Sequence, residues 1–170
     1  MKGRIIKHYF LVIIFIFACL VTSQVIAIEI VTHPKVTDTS LTKSQLRRIY
    51  TMRQLHWSDN SAINVFVLPS QHDLHQRFAK KLLQIFPYQL NRIWHKLTYS
   101  GLGVAPTVVA SQQELIQAVI NTPGSIGYID DGMLIELHQS KSSISKNDSE
   151  RKEEQKISVK GVVNIVKIKS

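Results

Sequence analysis

The residues best suited to chemistry lie between Pro69 and His75. His72 and His75 are three apart, so on a helix they share one face, with Asp73 beside them. Together with His33, at the end of an earlier apolar run, they offer the donor types that Zn²⁺ or Cu²⁺ takes. The H-x-x-H spacing fixes no third ligand, however, and residues opening a helix are ordinarily exposed, so no metal is expected. Pro69-Ser70-Gln71 precedes the same helix start, whose first N–H groups have no intrahelical acceptor and attract anions. Ser70, Gln71, His72 and His75 are therefore the candidate ligand-binding residues.

Catalytic chemistry has no comparable constellation. No G-x-S-x-G elbow, phosphate-binding loop or H-E-x-x-H occurs, and no two carboxylates are spaced as acid and base. Asp130 and Asp131 are adjacent, so a continued strand would put them on opposite faces. A non-enzymatic protein without a cofactor is expected.

The elements that must position these residues can be read from the pattern. Glu29 to Thr32 is a strand closed by His33-Pro34, and Thr42 with Gln45 forms a capping box for a helix through about Tyr50. Ala62 to Leu68 is a second strand, stopped by Pro69. Leu74, Phe78, Leu82 and Ile85 recur at the spacing of one amphipathic helix. Pro87 opens the next helix, with Leu90, Ile93, Trp94 and Leu97 on one side, until Ser100-Gly101-Leu102-Gly103 breaks it. Ser111 and Glu114 form a second capping box, and Pro123-Gly124 leads into a strand from Ser125 to Ile129. Trp57 and Trp94 each sit where an apolar face meets a turn and are expected in the core. Strands alternating with helices predict an α/β layer around a small, largely buried sheet.

Composition sets the boundaries. The chain has 170 residues, 21 Lys+Arg against 12 Asp+Glu, and a net charge of +9. Lys2, Arg4 and Lys7 precede an apolar run from Tyr9 to Val21 that ends in Val25-Ile26-Ala27, the pattern of a signal peptide over residues 1–27. Export to the periplasm follows as an expectation; an uncleaved N-terminal membrane anchor is the alternative. Cys19 lies within that leader, so the mature chain has no disulfide to form. Residues 139–160 are almost entirely polar, too poor in large apolar side chains to order themselves, and are expected to be a disordered insertion. The β-branched run from Val162 to Lys169 should bring residues 161–170 back to the sheet as a strand. The segment from Gln139 onward carries eight cations and four acids, which leaves residues 28–138 with ten against eight. The basic balance thus belongs to leader and tail, and no aromatic residues are interleaved with it, so nucleic acid is not an expected partner.

The residues also resemble a known family. His33-Pro34, then Ser40-Leu41-Thr42 leading to Leu46-Arg47-Arg48-Ile49-Tyr50, then Pro123-Gly124-Ser125-Ile126-Gly127-Tyr128-Ile129-Asp130, look like phosphate-type substrate-binding proteins of ABC transporters. Trp94 to Gly103, followed by Pro106, is similar to a stretch of the short, single-lobe members of that family. The resemblance runs from about Ile28 to Asp131. It implies one lobe of a type 2 periplasmic-binding-protein fold, α/β with a small mixed sheet flanked by helices over residues 28–138. It also implies a small oxyanion such as phosphate as ligand, and an ABC permease or an envelope sensor as partner. The alternative is an interaction or sensory domain that has lost its ligand. Aligned on Phe78, the family's S-G-T-R anion motif falls at His72-Asp73-Leu74-His75, so its hydroxyls, glycine and arginine are missing. Asp73 would oppose phosphate there, and a protonated His75 could replace the arginine at acidic pH. Met52 and Asn60 replace two family glycines, the first implying a changed helix exit, the second a mild change.

Overall fold

The computed structural model describes residues 27–133 and 163–169. Residues 1–26 and the polar segment 139–160 lie outside the described residues.

Six strands form one mixed sheet: β1 (Ile28–Thr32), β2 (Ser40–Thr42), β3 (Asn64–Val67), β4 (Thr107–Val108), β5 (Ser125–Asp130) and β6 (Asn164–Lys169), in the order β2-β6-β1-β5-β3-β4. β1 is central and antiparallel to both neighbours, pairing Ile30 with Tyr128 of β5 on one side and with Val166 of β6 on the other. β3 runs parallel to β5 and β4, and β2 parallel to β6. Covered faces explain the apolar runs: Ile30, Val31, Val67, Ile126, Tyr128 and Ile129 are all inaccessible to water. β2 and β4 are absent from the sequence reading because each is only two or three residues long, and β3 is shorter than the apolar run that announces it.

Among the described residues there are four α-helices: α1 (Lys43–Tyr50), α2 (Asp73–Phe78), α3 (Pro87–Tyr99) and α4 (Gln112–Asn121). The Thr42 hydroxyl accepts the Gln45 N–H at 3.1 Å while the Gln45 side chain accepts the Thr42 N–H at 2.9 Å, a complete capping box. At α4 only half of the box forms. Ser111 Oγ accepts from Glu114 N, but the Glu114 carboxylate takes the Ala110 N–H instead.

The helix expected from Leu74 to Ile85 is not a single α-helix. α2 widens into a π-helical segment, Ala79–Leu83, that ends on Gln84 in the left-handed region at φ 55°. The wider turn advances the buried face by one residue, so Leu83 is buried where Leu82 is only half so. α3 keeps the expected pattern, burying Leu90 and Trp94. Both tryptophans are buried: Trp94 Nε1 donates to the Tyr50 carbonyl at 2.7 Å, and Trp57 Nε1 to the Gly124 carbonyl at 2.8 Å.

The exit from α1 is left-handed without a glycine. Met52 adopts φ 58° and Asn60 φ 65°. For Met52 this costs about 1 kcal/mol, offset by burial of a side chain that fills the space a Cβ on Gly103 would need. Gly124, at φ 73°, has no such freedom, because a Cβ there would collide with the Ala62 carbonyl oxygen. Gly124→Ala should lower the unfolding free energy by about 2 kcal/mol in urea denaturation; a loss below a few tenths would show that the turn relaxes freely.

Candidate functional site

The end of β3 and the start of α2 bring the four candidate residues into one turn. Ser70 is half-buried and its Oγ accepts a 2.8 Å hydrogen bond from Asn91 Nδ2 on α3, which leaves its own hydroxyl proton free to donate. Gln71 is exposed, and its carbonyl faces Gln76 Nε2 at 3.5 Å. His72 is the N-cap of α2: its Nδ1 accepts the Leu74 N–H at 3.2 Å, taking up one of the donors that a helix start leaves open.

His75 differs from an exposed helix-start residue. It is fully buried beneath the turn, with Nδ1 2.6 Å from the Tyr128 hydroxyl. That hydroxyl also accepts the Leu68 N–H at 3.0 Å, and its own proton is satisfied when it donates to His75 Nδ1. Nδ1 is thus the acceptor, and the neutral ring carries its proton on Nε2, which is buried without a partner. Burial, and secondarily the charge of His72, push the His75 pKa down to about 4. A protonated His75 facing an anion is therefore not the state of this fold at mildly acidic pH. The hydroxyl of Tyr128 is held well above its ordinary pKa by burial. The two rings belong to one aromatic cluster: Phe78 stacks on Tyr128 at 3.9 Å, Tyr50 meets Phe78 edge-on at 4.7 Å, and Trp94 lies 6.1 Å from His75.

Asp73 is not an unopposed negative charge. Its Oδ2 lies 2.9 Å from Arg77 Nε, one turn on, although at 82% side-chain exposure the pair contributes little to stability. His33 stands apart, at the end of β1, where its Nδ1 accepts the Lys35 N–H at 3.1 Å. Burial first, and then the Lys35 charge, lower its pKa. With the Nδ1 atoms of His33, His72 and His75 all engaged, the three imidazoles do not converge, and no group of three metal-ligating side chains occurs among the described residues.

Two residues of the site escaped the sequence reading. Tyr128 lies in an apolar strand, where its hydroxyl was the available signal, since a buried Tyr O–H requires a partner. Asn91 is a polar position on α3 that nothing in the local pattern connects to Ser70, 21 residues earlier.

No protein-family model and no curated protein sequence matches the chain. Solved structures do. PstS from Borrelia burgdorferi aligns with a TM-score of 0.54 at 22% identity, over 85% of this chain and 48% of that one. An ABC-type phosphate transport receptor from Vibrio cholerae aligns with a TM-score of 0.54 at 15% identity, over 84% of this chain and 47% of the other. The chain therefore spans about half the length of these neighbours, and at such identities the likeness is one of fold: a mixed α/β domain whose fold these neighbours share.

Proposed function

We propose that the chain is a solute-binding-type domain of the cell envelope whose ligand is a small oxyanion such as phosphate, held at the turn from β3 into α2. The observation that carries this reading is the conjunction of fold and donors. The lobe has the architecture of an ABC-type phosphate transport receptor, and the Ser70 hydroxyl, oriented by Asn91, stands at a helix start where N–H groups and the helix dipole favour negative charge. Gln71 and His72 flank it. His75 serves from below as a neutral support, its Nδ1 locked by Tyr128. The Arg77 ion pair moderates the repulsion from Asp73. In this reading the leader delivers the domain to the periplasm or anchors it there, and an ABC permease or an envelope sensor is the partner.

A thermal unfolding series of the leaderless chain with phosphate, sulfate and chloride is the test. A bound oxyanion at 100 times its dissociation constant stabilises by about 2.7 kcal/mol, and Ser70→Ala should remove that shift. Because His75 is neutral above about pH 4, protonation of that ring is not required for the effect at pH 7. No shift with any oxyanion would sink the proposal. One observation favours a second reading, an interaction or sensory domain without a ligand: Tyr99, Leu102, Val104 and Val108 are 60 to 89% exposed along the stretch from α3 into β4.

A further inference from the structure

Residues 28–138 are nearly neutral in sum, yet their charges are segregated in space. Neither α1 (KSQLRRIY) nor α3 (PYQLNRIWHKLTY) contains an acidic residue. Where these helices meet the exit of the π-helical segment, they border an open cavity of about 470 Å³, lined mainly by exposed side chains. Arg47 enters it from α1, and Arg92 and Lys96 enter from α3. Gln84 and Gln89 add carboxamides, and Ile85 with Ile93 forms an apolar floor.

Among the described residues, the only ion pair is Arg77 with Asp73, and the three cations that line this cavity share it with no lining carboxylate. Convergence of like charges is unfavourable in an empty site. In a concave site it also focuses a positive potential that concentrates anions. The volume falls within the range of small-molecule sites, and two guanidinium forks can each take two oxygens of a phosphate group. This cavity is separate from the turn at Ser70. Its lining includes none of Ser70, Gln71, His72 and His75, although Arg92 directly follows Asn91, the partner of Ser70, on α3.

We infer that the cavity between α1, the π-helical exit and α3 is a second binding site, for a multiply charged phosphate compound, with Arg47, Arg92 and Lys96 as its anion-binding residues. The same phosphate chemistry is offered by a soluble diphosphate and by an anionic phospholipid headgroup. The inference is independent of any ligand at the β3–α2 turn.

Pyrophosphate is the probe for the soluble source, titrated into the leaderless chain by calorimetry with inorganic phosphate for comparison. Pyrophosphate should bind more tightly than phosphate at this site. Arg47→Ala or Arg92→Ala should weaken it by about tenfold or more, the effect of losing a charge-assisted hydrogen bond. Arg53→Ala removes the same charge from an exposed position outside the cavity and should leave binding unchanged. Arg92→Gln, which keeps part of the side-chain stem, provides a second variant should an alanine variant fold poorly. For the headgroup source, the chain is sedimented with phosphatidylcholine vesicles with and without phosphatidic acid, whose phosphomonoester can carry two charges. Binding only to the anionic vesicles, lost in the same arginine variants, upholds the site and identifies the headgroup as its source. Absence of binding to both probes, or binding that survives Arg47→Ala and Arg92→Ala together, overturns the inference.

Discussion

Phe78→Ala should cost about 4 kcal/mol of unfolding free energy, in the range of fully buried aromatic truncations. Phe78 is inaccessible to water and lies between two tyrosines, its ring nearly parallel to Tyr128 and edge-on to Tyr50. Truncation removes the apolar transfer energy and also the packing that fixes the Tyr128 ring, so the hydroxyl that joins Leu68 N–H to His75 loses its seat. Small domains have only about 5–15 kcal/mol in total, so the variant should approach the threshold of folding. Urea denaturation at pH 7 measures the difference. A loss under about 1 kcal/mol would mean that the cavity collapses around neighbouring side chains and that the cluster is not the rigid support described above.

Acid should destabilise the domain through His75. Its folded pKa, about 4, lies below the unfolded value of 6.5, so between those values the unfolded chain binds the additional proton. Stability then rises with pH in that window: the contribution is fully present above about pH 6.5 and lost as pH falls toward 4. Across that window the loss amounts to about 3 kcal/mol. The groups facing the ring are His72 on its own helix, Tyr128 of β5, and Trp94 of α3; a carboxylate is not among them, so nothing compensates the buried imidazolium. His75→Asn places an amide oxygen where Nδ1 accepts and does not titrate. The difference in unfolding free energy between wild type and His75→Asn should therefore slope by up to about 1.4 kcal/mol per pH unit between pH 6.5 and 4. A flat difference would mean that the ring is protonated or solvated in the fold.

Local rules made much of the architecture legible. The capping box at Thr42, the proline opening α3 and the β-branched strands depend on neighbours within four residues, and the structure contains each of them. The resemblance of short motifs to phosphate-type binding proteins likewise pointed to the fold that the solved neighbours share. Failures came where a long-range contact outweighed the local pattern. The π-helical widening after Phe78 replaced Leu82 with Leu83 in the core, a choice set by what the helix packs against. Met52 accepted a left-handed conformation because Gly103, 51 residues later, leaves room for its side chain.

For the site the division is sharper. Residue type and spacing determined that Ser70, Gln71 and His72 lie at a helix start and that the body of the chain is close to neutral. Only the tertiary structure decided that His75 is a buried neutral ring bonded to Tyr128, 53 residues away, and that Asn91 orients Ser70. It also decided that Arg47, Arg92 and Lys96 share one cavity. The physical reason is common to all three. Helix and strand periodicities assign a face from adjacent residues, whereas solvation, protonation state and local potential depend on which faces of distant elements are brought together.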